Sequence, residues 1–375
     1  MKWAGLRFLR GALQVSYEVV KAMTRVNRNK VVLLGRRMNQ TPPDFTMLVE
    51  ELRRQHPEIK VVVRSMLVTG QLSQLPRFFL MVMGSVYHLA TAKVCVLDSY
   101  WPTASILRHR PELVVYQMWH SLGKLKQTGK QSLGRKQGRS ELLARHMRMH
   151  EGYDYVVAGA PVWNPQYRAA FGVRDSQLLN FGLPRSDYLV NERDAIAARI
   201  YEAYPELRSR PVVLYAPTFR RGVRATGALD IADAIDLKKF NLVVKKHGSD
   251  NLIMPPQPHF QCPEFTGTEM LTVADFVITD YSSIALEAAL IDAKTLYYLY
   301  DYDEYFQSNG VNVDLTEEMP GCVFHDAAGL ASALTEEYPV EELQRYKRTY
   351  LAPNPGHATR DLANHIFEVG GLCTR

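Results

Sequence analysis

The sequence predicts an α/β protein made of two doubly wound domains with a cleft between them, and three observations carry that prediction. Short, nearly continuous apolar runs alternate with helical segments along the chain, which is the pattern of parallel strands covered on both faces. The runs fall into two sets, divided by a connector at 182–210, as expected of two separate sheets. Finally, 375 residues that are 46% hydrophobic and 22% charged are enough for two ordinary cores and exclude a disordered chain.

Residues 1–30 read as a basic helix. Trp3, Leu6, Leu9, Leu13, Tyr17 and Val20 follow helical spacing, and Phe8, Val15 and Val19 break the pattern. Contact with a membrane surface and simple packing on the first domain fit this segment equally. The first domain, 31–200, takes its strands from VVLLG (31–35), IKVVVRS (59–65), KVCVLDS (93–99), ELVVYQMW (112–119) and YDYVVAG (153–159). Phe78 to Leu97 is its longest mostly apolar stretch, but Gly84, His88 and Lys93 interrupt it and its end reads as a strand. That disfavours a membrane span, which needs ~20 apolar residues. The second domain, 201–350, takes PVVLYAP (211–217), FNLVVKK (240–246), DFVITD (275–280) and KTLYYLY (294–300), and 351–375 is expected to close the chain as a helix.

The net charge of +6 is concentrated. Residues 1–30 hold seven Lys/Arg against Glu18 alone, and 120–150 hold eight against Glu141 alone. Such patches attract phosphorylated substrates, acidic lipid or nucleic acid. No nucleic-acid module or aromatic–basic alternation is present, so nucleic acid is not an expected partner. Cys95, Cys262, Cys322 and Cys373 are scattered without a C-x-x-C pair, which argues against a disulfide framework and a zinc site and suits a reducing cytosol. His146 and His150 have a metal-like spacing but stand among Arg145 and Arg148 with no acid or Cys, and Asp301-Tyr302-Asp303 is too short a pattern to argue from. There is no Walker loop, G-x-G-x-x-G or G-x-S-x-G, so the usual ATPase, dinucleotide and hydrolase signals are missing. Neither a cofactor nor a bound metal is expected.

Chemistry-bearing residues cluster where open α/β sheets bind ligands, at the carboxyl ends of strands. QMWHSLGKLKQTGK (117–130) puts His120 just past a strand, as a general base would be placed, with Lys124 and Lys126 to hold phosphate by charge. A packed histidine beside Trp119 with solvated lysines fits the same residues. KKHGSD (245–250) repeats the arrangement with Lys245 and His247, and APTFRR (216–221) offers Thr218 and Arg220, the arginine being suited to bidentate phosphate contacts. FVITDYSSIALEAAL (276–290) ends an apolar run in Thr279, Asp280, Ser282 and Ser283 before a helix. That junction serves either as a helix cap or as an anion site on the unpaired first-turn amides.

Taken together, these motifs resemble the CDP-glycerol glycerophosphotransferases of teichoic acid and related polymer synthesis. The resemblance rests on QMWH with its lysine-bearing loop, GLPRSDYL (182–189), LYAPTFR (214–220), VVKKHG (243–248), VITDYSSIALEAAL (277–290) and YLYDYDEYF (298–306). The motifs run in order over about residues 93–325. The family implies two Rossmann-like domains of the GT-B type, with a CDP-polyol donor held mainly by the second. It implies transfer of glycerol or ribitol phosphate to a lipid-linked acceptor, with release of CMP, at the cytoplasmic face of an anionic membrane and peripheral to it. By matching motifs, His120 corresponds to the family's general base and His247 to its second functional histidine. Asp280, Ser282 and Ser283 correspond to donor phosphate contacts, and Thr279, Thr218, Arg220 and Lys245 fall among its donor-side residues. Lys124 and Lys126 fall on the acceptor side. WHSLGKLKQTG departs from the usual WHG and Thr-Pro-Leu-Lys run and looks closer to CDP-ribitol users, and Gly248 replaces the usual Pro after the second histidine. A GT-B glycosyltransferase using a nucleotide sugar, and a catalytically inactive assembly partner, are the alternatives the sequence leaves open.

Overall fold

The computed structural model describes residues 2–68, 72–218, 220, 224–246 and 252–372. Eleven strands form two parallel sheets. The first contains β1 (Lys30–Gly35), β2 (Lys60–Ser65), β3 (Val94–Leu97), β4 (Val114–Gln117), β5 (Tyr155–Val157) and β6 (Leu178–Leu179), in the order β2-β1-β3-β4-β5-β6. The second contains β7 (Val212–Tyr215), β8 (Asn241–Val244), β9 (Phe276–Thr279), β10 (Lys294–Tyr298) and β11 (Val323–Phe324), in the order β11-β10-β9-β7-β8. Both sheets start on an interior strand, step outward to the next, and return to the other side for the third. Each therefore has a switch point between its first and third strands, where neighbouring loops diverge and leave a crevice. The apolar runs at 31–35, 94–97, 212–215 and 276–279 are buried throughout, because helices cover both faces of parallel sheets.

All nine apolar runs became strands. The two extra strands, β6 and β11, are two residues each, too short to show any periodicity. Phe78 to Leu97 resolves into the end of a helix, Leu75–Thr91, followed by β3, and no described helix is long and apolar enough to cross a membrane.

The first helix, Lys2–Met23, turns Leu13, Tyr17 and Val20 onto the first domain, and the Tyr17 hydroxyl lies 2.8 Å from His109 Nδ1. Phe8, Val15 and Val19, the residues that broke the helical pattern, are exposed. The helix Ala358–Glu368 packs on the helix Pro43–Gln55 of the first domain, with Leu362 and Ile366 fully buried. Its start is capped by Asp187, whose carboxylate accepts from the Ala358 and Thr359 amides at 2.9 and 2.7 Å.

The two domains are also joined beside the cleft. Lys126 pairs with Val311 in an isolated antiparallel bridge, the Gln127 amide donates to the Gly310 carbonyl at 2.9 Å and the Asn312 amide to the Leu125 carbonyl at 2.8 Å. The basic loop after β4 is thus fixed to the second domain. Gly123 sits where the domains approach closely, and an added Cβ would fall 2.5 Å from Trp163 and 2.6 Å from Leu286. A buried ionic cluster closes the floor: Arg185 donates Nε to Asp44 at 2.9 Å and approaches Glu287 at 3.5 Å, linking both domains through the connector.

Candidate active site

A cleft of about 470 Å³ opens between the carboxyl ends of the two sheets, with His120, Arg37 and Lys126 on one wall and Thr218, Tyr281 and Ser282–Ser283 on the other. On the first wall the chain leaves β4 through a sharp turn. Trp119 adopts the left-handed conformation with φ 61°, which is uncommon for a residue with a side chain. Its amide is held by the Gln117 side-chain oxygen at 3.0 Å. That turn delivers His120 to the cleft, with its ring stacked on Trp119 at 4.2 Å between centroids. His120 Nδ1 lies 2.9 Å from the Asp98 carbonyl oxygen. A carbonyl only accepts, so Nδ1 carries the proton and Nε2 is left as the basic nitrogen. Burial holds His120 well below the ordinary histidine pKa, and the nearby Arg37, Lys124 and Arg185 charges press in the same direction. The ring is therefore neutral at physiological pH, with Nε2 unprotonated.

Lys124 is almost fully buried. Its Nζ sits 4.3–4.7 Å from the ring centroids of Trp119, Tyr167 and Phe171 and 3.2 Å from Thr128 Oγ1. The same Trp119 ring thus carries both Lys124 and the stacked His120, and Lys124, expected to bind phosphate, also lines the cleft. Lys126 is different: half-buried on the cleft wall, it is pushed down to about 8 by burial. Arg37, just past β1, also lines the cleft, and the sequence reading did not single it out.

The second wall is built on a buried arginine. Arg220 donates Nε and Nη2 to the Asp301 carboxylate at 2.6 and 2.8 Å. Its Nη1 donates to Asp280 Oδ2 at 2.8 Å and to the Thr218 carbonyl at 2.9 Å. Asp280 Oδ1 accepts from the Thr218 amide at 2.8 Å. The flanking carboxylates hold Arg220 charged, above the ordinary arginine range, despite its burial. Thr279 is fully buried and donates to the Ala216 carbonyl at 2.7 Å. Thr279, Asp280 and Arg220 thus lie behind the wall rather than on it. All three, expected as donor contacts, have these polar atoms engaged within the protein.

What this scaffold presents is a set of hydroxyls. Thr218 Oγ1 and Tyr281 Oη are buried without a partner among the described residues, and both residues line the cleft with Ser282 and Ser283. Ser283 precedes the helix Ile284–Leu290 without capping it through its side chain, whereas Ser282 Oγ accepts from the Ile284 amide at 3.4 Å. Lys245, expected among the donor-side residues, is engaged within its own domain. Its Nζ donates to the carbonyls of Gln261, Cys262 and Phe265 at 2.9, 2.9 and 2.6 Å, which exhausts its three donors, and the adjacent Lys246 faces the cleft instead. His247 lies outside the described residues. Hydroxyls and cations lining one cleft suit an oxyanion-rich ligand such as a diphosphate.

Comparison with known proteins agrees with this geometry. A model of the CDP-glycerol:poly(glycerophosphate) glycerophosphotransferase family matches residues 16–368. A teichoic acid ribitol-phosphate primase of Bacillus spizizenii is 26% identical, over 98% of each chain. A teichoic acid glycerol-phosphate primase of Bacillus subtilis is 24% identical, over 75% of each. A teichoic acid poly(ribitol-phosphate) polymerase of Bacillus spizizenii is 25% identical over 94% of this chain but only 58% of its own length. Among solved structures, the wall teichoic acid polymerase TagF superposes with a TM-score of 0.73 at 17% identity, over 97% of both chains. The fold is accordingly the two-domain, Rossmann-like GT-B arrangement.

Proposed function

Because the chain belongs to the CDP-glycerol:poly(glycerophosphate) glycerophosphotransferase family, we propose that it moves a polyol phosphate from a CDP-activated donor to a lipid-linked acceptor in teichoic acid synthesis, releasing CMP. The observation that carries the mechanism is the placement of His120 on one wall of the cleft, opposite Ser282 and Ser283 on the other. The acceptor hydroxyl attacks the phosphorus that bears the polyol while His120 Nε2 takes its proton. The bond from that phosphorus to the oxygen bridging to CMP breaks, and CMP leaves with the electron pair. Such a step depends on positioning and charge stabilisation. Ser282, Ser283, Thr218 and Tyr281 supply hydrogen bonds to the diphosphate, and Lys126 supplies charge. Asp280, Arg220 and Thr279 hold that wall in place, and Lys124 holds the Trp119–His120 stack.

The polyol in this reading is ribitol, supported by the end-to-end match to a ribitol-phosphate primase and by the WHSLGKLKQTG loop. The membrane contact is peripheral, at the cytoplasmic face. Helices Lys2–Met23 and Leu75–Thr91 pack together and turn Phe8, Val15, Val19, Phe79 and Leu80 outward on a segment carrying Arg7 and Arg10. A membrane containing the acceptor would receive that surface. The test is CMP release by the purified protein with membranes, offered CDP-ribitol and CDP-glycerol in parallel. Release with CDP-ribitol is expected, reduced about 10²–10⁴-fold in His120→Ala, the usual scale for losing a general base. Faster release with CDP-glycerol would reverse the polyol assignment. Release with neither donor would overturn the function.

A further inference from the structure

We propose that Arg37 receives a phosphate group carried by the acceptor, a role that rests on the polyol-phosphate transfer reading above. Arg37 follows β1 at the switch point of the first sheet, where ligands of open α/β sheets bind, and it lines the cleft with His120. Its side chain is half-buried. Among the described residues it donates no hydrogen bond and has no carboxylate within ion-pair distance. Its neighbour Arg36 is tied to the Tyr100 carbonyl at 3.2 Å. Asp98, Asp44 and Glu287 attract Arg37 only through space, and the latter two are already engaged with Arg185. A half-buried guanidinium that no carboxylate of the described residues neutralises leaves its charge free for an anion in the cleft.

The position selects the acceptor as the source of that anion. The hydroxyls suited to the donor diphosphate belong to the second domain, across the cleft, whereas Arg37 belongs to the wall that carries His120. Arg37 and His120 line the same cleft, so a group held by Arg37 shares that cleft with the hydroxyl that His120 deprotonates. In a polyol phosphate the terminal hydroxyl and its own phosphate are only a few bonds apart. A phosphate held by Arg37 would therefore present that hydroxyl to His120, and the planar fork of arginine fits two phosphate oxygens at once.

The test titrates glycerol 3-phosphate, as a probe of the acceptor end, onto protein saturated with CDP, which fills the nucleotide and diphosphate subsites. CDP binding is measured separately. For Arg37→Gln the expected result is at least tenfold weaker binding of glycerol 3-phosphate with CDP affinity within twofold of wild type, and an intermediate loss for Arg37→Lys. The proposal is overturned if wild type does not bind the probe, if Arg37→Gln binds it as tightly as wild type, or if both variants lose CDP to the same extent. CMP release by wild type with membranes and each CDP-polyol reports on the transfer reading independently of these titrations.

Discussion

The two sheets share one strand order, and each places an arginine after its first strand and an aspartate after its third. In the second domain these are Arg220 and Asp280, joined at 2.8 Å and reinforced by Asp301. In the first they are Arg37 and Asp98. Among the described residues that pair is not joined, and Asp98 Oδ2 is buried without a partner. The same topological positions have been put to opposite uses. Closing the pair makes a rigid support from which hydroxyls project, while leaving it open keeps a cation for a ligand. Charge near a cleft is therefore a poor guide to binding until the partner of each charge is known.

The sharpest way to break this comparison is to truncate both arginines. Arg220→Ala leaves Asp280 buried and uncompensated, and is expected to lower the unfolding free energy by about 3–5 kcal/mol, read from urea denaturation. Arg37→Ala removes an unpaired cation and is expected to leave the urea midpoint unchanged or raised. Equal destabilisation would show that Arg37 has a structural partner after all. A smaller effect is expected where the two walls touch. Gly123→Ala forces a methyl against Trp163 and Leu286 and is expected to cost about 1–3 kcal/mol, with CMP release falling because the His120 loop shifts. A variant with normal stability and activity would mean that the domains part easily at this point.

The smallest effect is on pH dependence. His120 must be neutral to act as base, and its pKa is lowered by burial first and then by Arg37, with Lys124 and Arg185 adding to it and the bond to the Asp98 carbonyl opposing it. Activity is therefore expected to persist below about pH 6.5, the ordinary histidine value, and to fall only at more acidic pH. Arg37→Gln removes one positive charge, so the acid limb of the rate profile should move up in pH. A limb that stays put would place Arg37 too far from His120 to assist its substrate.

The sequence was most readable where a property repeats along the chain. The strand runs, the two-domain division and the convergence of His120, Thr218, Ser282 and Ser283 on one cleft all follow from periodicity and from the rule that ligands gather at strand ends. It was least readable where a role depends on a distant partner. Arg220 looks like a phosphate ligand until Asp301, 81 residues away, is seen to occupy its fork. Lys245 and Lys246 are adjacent and chemically alike, and only the carbonyls around Lys245 Nζ separate them. Arg37 carried a signal that went unused: VVLLGRR ends a strand in two arginines, as APTFRR does.

The helix Ala358–Glu368 has a consequence for biosynthesis. His365 contacts Tyr116 and Tyr155 of the first sheet, and Phe367 stacks on His56 at 3.5 Å between centroids. On the ribosome, the first domain is translated long before the helix that completes it. Until roughly the final turn of that helix clears the exit tunnel, the nascent first domain exposes the apolar surface that Leu362 and Ile366 will cover. A stop codon ahead of Ala358 would leave that surface uncovered for good.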